Sequence, residues 1–344
     1  MNLTTHIDSV DKLEEALSEP TDPLVEFVKR LHGPLVVLGA AGKMGPTLCL
    51  LANRAAEAAG KELDVIAVSR FSSPGSARWF EDHGIRTLSA DLLRAGDYKK
   101  LPDAENVIFL VGQKFGTSDN PSLTWAVNTI VPARVSERYR SSRIVALSTG
   151  NVYPLVPITS RGSTESDPPA PKGEYANACL ARERIFEFSA ERFGTRSTLV
   201  RLNYALELRY GVLVDIATRI KETGRVDVTM GHLNFIWQRD ANERVIRSLD
   251  LATNPPCLLN LTGRQTHSVR ALAEALAREM NRSVEIVGKE ADTAFLSDAS
   301  SCVRHFGDSQ VTADELVRLT ARWIDAGLPL LGKPTHFEQR DGKY

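Results

Sequence analysis

The stretch from Pro34 to Leu51, PLVVLGAAGKMGPTLCLL, constrains the fold of this chain more than any other. Its first five residues form a short apolar run that is typical of a buried parallel strand. Pro46–Ala58 then predicts an apolar, Ala-rich helix, and glycines at positions 39, 42 and 45 lie between strand and helix. A strand, a glycine-rich turn and a helix in this order indicate a dinucleotide-binding loop.

Each glycine of the loop has its own purpose in such a site. Gly39 permits the tight turn, Gly42 lets the backbone approach a pyrophosphate, and Gly45 lets the helix pack close to the strand. The N–H groups and the positive end of the helix then face the phosphates. A glycine triad alone would also suit a tight strand–helix turn, so the prediction depends on the strand before it and the helix after it.

Strands and helices alternate through most of the chain after this loop. The predicted strands are Asp64–Ser69, Arg86–Ser89, Asn106–Gly112, Arg143–Thr149 and Ser197–Leu202, and long helices are predicted over Ser122–Tyr139 and Gly173–Arg192. The alternation predicts an α/β fold with a doubly wound parallel (Rossmann) sheet, which binds ligands at the carboxyl ends of its strands. Shorter helical patterns farther on predict a smaller C-terminal α/β substrate domain.

The same patterns suggest domain boundaries. We expect a helical N-terminal extension over 1–33, a dinucleotide-binding domain over 34–203 with 233–255 packing back on it, a substrate domain over 204–232 and 256–330, and a C-terminal tail over 331–344. Within the extension, Ser9 can cap a helix over Val10–Ser18, and Asp22 with Pro23 indicates the start of a second helix.

Composition excludes several classes of partner. The chain has 344 residues, 25% of them charged, and its net charge of −1 argues against nucleic acid or an anionic membrane as a partner. Four scattered cysteines, without a CxxC pair or metal-ligand spacing, predict a reduced, cytoplasmic protein and no metal site. The first 20 residues lack the apolar core of a signal peptide, and no apolar run approaches the roughly 20 residues of a membrane span.

Several spaced motifs resemble those of the extended short-chain dehydrogenase/reductase family, which contains nucleotide-sugar epimerases and dehydratases. The resemblance spans about Leu35 to Trp323. It is carried by the GxxGxxG loop, Asp91-Leu92, VIFLVGQK ending in Lys114, Asn128, ALSTGNVYP with Thr149, YANACLARERIF beginning with Tyr175, Asp240, and FLSDASSCVRHFG near Asp298.

The resemblance implies roles for these residues. Tyr175 takes the position of the catalytic acid/base, and Thr149 that of the hydroxyl beside the reacting carbon. The predicted coenzyme-binding residues are Gly39, Gly42, Lys43, Met44, Gly45, Arg70, Asp91, Leu92, Val111, Gly112, Lys114, Asn128 and Tyr175. A tyrosine can accept a proton only if nearby positive charge lowers its pKa from about 10 toward neutrality.

One position departs from the family. A lysine one helical turn after the tyrosine supplies that charge in the family, and here the position is Cys179. Lys114 or Arg182 could replace the charge, the oxidised nicotinamide ring could suffice, or the protein could bind its coenzyme without turnover. On sequence alone, a solvated or dimer-facing position is favoured for Arg182 and Arg184, and a coenzyme contact alone for Lys114. Cys179 itself is expected to be a small buried residue.

The end of the second predicted strand bears on the choice of coenzyme. A carboxylate there would bind the 2′-hydroxyl of NAD, whereas this sequence reads AVSRFSS with Arg70. A guanidinium suits the 2′-phosphate of NADP, and Lys43 adds charge in the loop. The sequence therefore favours NADP modestly, with NAD the alternative.

The substrate is constrained by two absences. Family arginines that hold the diphosphate of nucleotide sugars align with Leu233 and with positions 287–288, and neither place is basic. A smaller substrate is therefore favoured, a free sugar or a sugar acid. Asn151, Asn203 and His232 are candidate substrate contacts.

Three functions remain open at this point. The first is an NAD(P)-dependent oxidoreductase or epimerase acting at a carbinol of a sugar-like molecule. The others are a nucleotide-sugar epimerase and a catalytically silent NAD(P)-binding sensor or scaffold. The two long helices correspond to the pair that forms a four-helix dimer interface in the family, so a homodimer is expected.

Overall fold

The structure, a computed structural model, describes residues 7–114 and 119–342. Its α-helices are α1 (Val10–Leu17), α2 (Asp22–Arg30), α3 (Gly45–Ala58), α4 (Ser76–Asp82), α5 (Pro121–Arg138), α6 (Gly173–Phe193), α7 (Val212–Thr223), α8 (Gln238–Arg247), α9 (Val269–Glu279), α10 (Ser300–Phe306) and α11 (Ala313–Asp325). Short 3-10 helices cover Ala95–Lys100, Gly150–Val152 and Ser248–Leu251. No described helix combines the length and apolarity that crossing a membrane requires.

The strands divide between one large sheet and several two-stranded ones. In chain order they are β1 (Leu35–Leu38), β2 (Val65–Ser69), β3 (Arg86–Ser89), β4 (Asn106–Phe109), β5 (Arg143–Thr149), β6 (Val156–Pro157), β7 (Arg196–Leu202), β8 (Ala205–Leu206), β9 (Arg225–Asp227), β10 (His232–Leu233), β11 (Ile236–Trp237), β12 (Cys257–Leu261), β13 (His267–Ser268), β14 (Glu285–Val287) and β15 (Thr293–Ala294). The large sheet has seven strands in the order β3-β2-β1-β4-β5-β7-β12, and every pairing in it is parallel. The doubly wound fold predicted from the sequence is therefore confirmed.

The sheet is buried because apolar clusters cover both of its faces. One cluster joins Val37, Ile108 and Val200 of the sheet to side chains of α2, α3 and α8. The other joins strand residues such as Val36 and Phe109 to side chains of α5 and α6. Strand order reverses between β1 and β4, and ligands of such sheets bind at the carboxyl ends of the strands at this reversal.

A second body packs beside the carboxyl ends of the strands. Its core is a cluster of side chains from α7, α9 and α11, together with the paired short strands β9 and β14. The first helix joins this cluster through Leu13 and Leu17, whereas α2 joins the cluster on the large sheet. The two helices of the N-terminal extension thus join different apolar clusters, and α1 also contacts α3 and α8.

Two elements of the sheet domain carry weak signals in the sequence. Strand β12 adds a seventh strand beside β7, and helix α8 packs against α3 with nearly all of its residues buried. Helix α8 has the sequence QRDANERVIR, and this polar composition is typical of an exposed helix although the helix is buried. Its side-chain amides instead bond α3: Gln238 and Asn242 both donate to the hydroxyl of Thr47, at 3.1 and 3.0 Å.

Candidate functional site

The glycine loop lies at the reversal point, between the end of β1 and the start of α3. Gly39 has a φ of +84°, and its amide donates to the Val68 carbonyl over 2.8 Å. A Cβ atom on Gly39 would lie 2.9 Å from the backbone nitrogen of Val111, and one on Gly45 would lie 2.0 Å from the carbonyl oxygen of Ala40. Gly39 and Gly45 are therefore required by backbone contacts, whereas Gly42 borders the open space of a cavity.

That cavity, of about 600 Å³, runs from the loop across the ends of β1, β2 and β3. We call it the outer cavity. It includes predicted coenzyme-binding residues from four segments, and its lining comprises Gly39, Ala41, Gly42, Val68, Ser69, Arg70, Ser72, Ser73, Ser76, Ala90, Asp91, Leu92, Leu93, Leu110, Val111, Gly112, Gln113, Leu123, Val127, Val131 and Lys333. The Asp91 carboxylate accepts from the Leu93 amide over 3.0 Å, which fixes the side chain at the rim.

A second cavity, of about 340 Å³, continues from the other side of the loop. We call it the tyrosine cavity. It is lined by Gly39, Gly42, Lys43, Met44, Gly45, Leu110, Gly112, Lys114, Leu147, Ser148, Thr149, Tyr175, Arg182, Leu202, Tyr204, Ala205, Leu206, Tyr210, Gly211, Gln238, Lys333 and Thr335. The two cavities share the glycine loop, so together they form one groove across the end of the sheet.

Tyr175 lies in the first turn of α6, facing the end of β5. Its phenol is hydrogen-bonded to the side chains of Thr149 and Cys179. Burial raises the pKa of the phenol well above 10, the Cys179 side chain adds to the rise, and the Arg182 guanidinium opposes it. In the protein as described, Tyr175 is therefore a protonated acid that faces the cavity together with a threonine hydroxyl.

Arg182 occupies an unexpected position. The sequence favoured a solvated or dimer-facing side chain, and this interpretation is wrong, because Arg182 is 5% exposed and lines the tyrosine cavity. Its guanidinium donates to the carbonyl of Leu147 and to the side-chain oxygen of Asn128. Arg182 follows Tyr175 by seven residues, two helical turns, so both side chains leave the same face of α6. Arg184, in contrast, is exposed and pairs with Glu187.

Three lysines line the tyrosine cavity, namely Lys43, Lys114 and Lys333. Burial lowers the pKa of Lys114 to about 8, and the charges of Asp215 and Cys179 oppose the fall. Burial, followed by repulsion from Lys114 and Lys333, lowers the pKa of Lys43 to about 6. The Lys43 ammonium lies 3.2 Å from the centroid of the Tyr210 ring. The described lining of this cavity contains no carboxylate, and the Asp215 and Glu207 carboxylates that act on these lysines lie outside that lining.

Four predicted site residues lie behind or beside the cavities. Asn128 is fully buried, and its side-chain oxygen accepts a hydrogen bond from Arg182 behind the cavity wall. Asn203 donates to the side chain of Asn234 over 2.7 Å, and thereby joins the two bodies. Asn151 is buried in the turn after Thr149, and His232 pairs with Ser268 in a two-stranded sheet. Of these four, the described structure brings none to the lining of either cavity.

Other lining residues were not found from the sequence. Tyr204 and Tyr210 come from the connection into α7, and Lys333 and Thr335 come from the C-terminal tail. Beneath the floor of the cavity, Ser148 donates to Glu183, which forms an ion pair with Arg201 over 2.7 Å. The spacing of the family motifs does not predict the position of the C-terminal tail, because the contacts of the tail depend on tertiary structure.

The comparisons with known proteins agree with this geometry. A profile of the NAD dependent epimerase/dehydratase family matches residues 35–206. A search among curated proteins finds no match. A UDP-galactose 4-epimerase structure superimposes with a TM-score of 0.68 at 21% identity, covering 86% of this chain and 99% of that chain.

Two further solved structures are similar. The UDP-glucose 4-epimerase of Thermus thermophilus, in complex with NAD, has a TM-score of 0.69 at 19% identity and covers 84% of this chain and 98% of its own. The dTDP-glucose 4,6-dehydratase of Bacillus anthracis, in complex with NAD, has a TM-score of 0.72 at 14% identity and covers 86% of this chain and 97% of its own. At these identities the likeness concerns the fold.

Proposed function

The chain belongs to the NAD dependent epimerase/dehydratase family, and we propose that it transfers a hydride between a nicotinamide coenzyme and a carbinol carbon of a small, anionic, sugar-like molecule. The observation that carries this proposal is the lining of the tyrosine cavity. Tyr175 and Thr149 lie in it together, and the cavity is continuous with the glycine loop.

The residues present fit such a coenzyme. A Cβ atom on Gly42 would meet only the carbonyl oxygen of Gly39, at 3.2 Å, and Gly42 borders both cavities, so a phosphate can approach the backbone amides of the loop. The outer cavity offers apolar side chains on both sides of the Asp91 rim, which suits an adenosine. The continuation into the tyrosine cavity gives the nicotinamide end a place beside Tyr175.

The bound coenzyme supplies a ring that accepts or returns a hydride. Thr149 orients the substrate hydroxyl, and Tyr175 exchanges a proton with its oxygen. Because burial raises the pKa of the phenol, the residue needs a nearby cation to act as a base. Arg182 is the cation that lowers the Tyr175 pKa in this structure, and Lys114 lines the same cavity. We propose that Arg182 replaces the charge that Cys179 does not provide.

The charge of the cavity supports an anionic substrate. Lys114 and Arg182 belong to a described lining that lacks carboxylates, and the carboxylate of a sugar acid can form charge-assisted hydrogen bonds with such groups. Leu233 is buried in β10, and Gly288 follows β14 at a φ of +78°, so neither of these positions offers a cation to a substrate diphosphate. The first observation favours an anionic substrate, and the second favours a sugar acid over a nucleotide sugar.

This function is tested with purified protein and a panel of sugar acids, free sugars and UDP-sugars. Absorbance of the reduced nicotinamide reports a dehydrogenase, and NMR of the sugar reports an epimerase, which consumes no coenzyme. We expect turnover with one or more sugar acids. Binding of coenzyme without turnover of any compound would favour the silent sensor, and selective turnover of UDP-sugars would favour the nucleotide-sugar epimerase.

NADP is the proposed coenzyme, because Arg70 lines the outer cavity together with Ser72, Ser73 and Ser76. Guanidinium and hydroxyl groups are donors for a 2′-phosphate. We expect Arg70→Ala to weaken NADP binding about 10–100-fold, as expected for loss of a charge-assisted hydrogen bond, and to leave NAD binding unchanged. Titration calorimetry with both coenzymes measures this, with Arg78→Ala on the exposed face of α4 as the control. Equal losses for NAD and NADP would contradict a 2′-phosphate contact.

Coenzyme binding should also take up a proton. The pKa of Lys43 is about 6 because of burial and two neighbouring lysines, so the group is mostly neutral at pH 7. A phosphate nearby would raise that pKa, and binding should then weaken as the pH rises through the raised value. Calorimetry at pH 7 in buffers of different ionisation enthalpy counts the proton, and Lys43→Met should abolish the uptake. An unchanged proton count in that variant would exclude Lys43 as its source.

We also propose a homodimer through α5 and α6. These helices pack against each other and carry exposed apolar side chains that do not line either cavity, namely Trp125, Ile130, Phe188 and Phe193. Exposed apolar patches of this kind mark protein interfaces. Light scattering that gives the mass of a monomer would exclude the dimer.

A further inference from the structure

The C-terminal tail after α11 crosses the open side of the groove. The Leu331 amide donates to the carbonyl of Arg209 over 3.0 Å. Farther on, the amide and hydroxyl of Thr335 donate to the Asp215 carboxylate over 2.8 and 2.5 Å. Arg340 then donates to the carbonyl and hydroxyl of Thr293. These bonds fasten the tail to the second body on both sides of Lys333.

Among the charged residues that the structure describes, only Lys333 lines both cavities. It lines both the outer cavity and the tyrosine cavity, together with Gly39, Gly42, Leu110 and Gly112. Its side chain is therefore at the junction of the two cavities, beside the glycine loop. Its charge contributes to the low pKa of Lys43. Within residues 7–114 and 119–342, no carboxylate lies within ion-pair distance of the Lys333 ammonium.

From this placement we infer that Lys333 binds the pyrophosphate of the coenzyme, opposite the backbone amides of the glycine loop. The inference rests on the proposed function, because it takes the groove to be a dinucleotide site. The loop and the N-terminus of α3 provide neutral donors on one side of that junction. A tail lysine adds a full positive charge there, and a charged donor forms a stronger hydrogen bond to a phosphate oxygen than a neutral one.

The alternative is a solvated lysine on a tail that is fixed by its neighbours. Thr335 and the buried Phe337 hold the tail in place without help from Lys333. If Lys333 binds the pyrophosphate, removing its ammonium should weaken ligand binding and leave the fold unchanged. If the lysine is only solvated, neither ligand binding nor the fold should change.

The test compares Lys333→Met, Lys333→Arg and Lys99→Met, the last an exposed lysine outside both cavities. The probes are ADP, which carries a pyrophosphate, and adenosine, which does not. We expect Lys333→Met to weaken ADP binding about 10–100-fold, the usual effect of losing a hydrogen bond to a charged group. Adenosine binding, measured by saturation-transfer NMR, should not change. Lys333→Arg should restore most of the ADP affinity, and Lys99→Met should leave it unchanged.

Three outcomes would overturn the inference. ADP binding of wild-type strength in Lys333→Met would do so while leaving the proposed function intact, and so would equal losses for ADP and adenosine. A wild-type protein that binds neither ADP nor a nicotinamide coenzyme would end both proposals. The midpoint of thermal unfolding serves as a check, since Lys333→Met should not shift it.

Discussion

Replacing Tyr175 with phenylalanine should lower kcat by about 10²–10⁴-fold, the range for loss of a general acid or base. The phenol is the titratable hydroxyl that contacts Thr149 in the tyrosine cavity, and phenylalanine retains the ring that packs near Val152 and Cys179. The substitution therefore removes proton transfer and little else. Coenzyme affinity, measured by calorimetry, should remain close to that of the wild type, because the glycine loop is untouched.

Tyr139→Phe is the matched control. The Tyr139 hydroxyl donates to the carbonyl of Pro102 over 3.1 Å, away from both cavities. Its loss should reduce the free energy of unfolding by about 1 kcal/mol, the usual value for one hydrogen bond, and leave kcat unchanged. Full activity in Tyr175→Phe would remove Tyr175 from the mechanism. Activity absent from wild type and variant alike, with coenzyme bound to both, would favour the silent sensor.

The second large effect is expected at Arg182. Arg182→Met should lower kcat at neutral pH at least about tenfold, because each unit of rise in the Tyr175 pKa is worth 1.36 kcal/mol of ionisation. Arg182 lowers the pKa of Tyr175 in this structure, so without it the deprotonated phenol requires a higher pH. The pH at which the rate of alcohol oxidation reaches half its maximum should therefore shift upward.

The pH profile separates this role from a structural one. Loss of packing alone would lower the rate without shifting its dependence on pH. Loss of the Arg182 cation would shift that dependence to higher pH. Arg182→Lys retains a charge and should recover part of the original profile, although lysine cannot bond both Leu147 and Asn128 in the same way. If Lys114→Met shifts the profile and Arg182→Met does not, then Lys114 is the cation that replaces the family lysine.

The sequence predicted the parts of the fold that depend on local backbone chemistry. Gly39 has the positive φ that its motif requires, and Gly45 leaves no room for a Cβ atom, so the glycine spacing together with the flanking strand and helix identifies the loop. Arg182 was misjudged because a lone arginine on a long helix is usually solvated. Its spacing of two helical turns from Tyr175 was the signal that could have placed it.

The remaining features depend on contacts between distant segments. Helix α8 has the composition of a surface helix, and only its packing on α3 shows why its polar side chains are buried. Lys333 reaches the junction of the cavities because Asp215 and Thr293 hold the tail on either side of it. No periodicity encodes such contacts, so a family motif can locate a groove but not all the side chains around it.

The position of α1 has a consequence for how the chain folds during its synthesis. Leu13 and Leu17 leave the ribosome before most of the residues that bury them, because their apolar cluster is built mainly from residues after Leu206. Their contacts have a large sequence separation, and such contacts form late. The apolar face of the first helix is therefore covered in full only after the residues beyond Leu206 have been made, although α3 can contact this helix earlier.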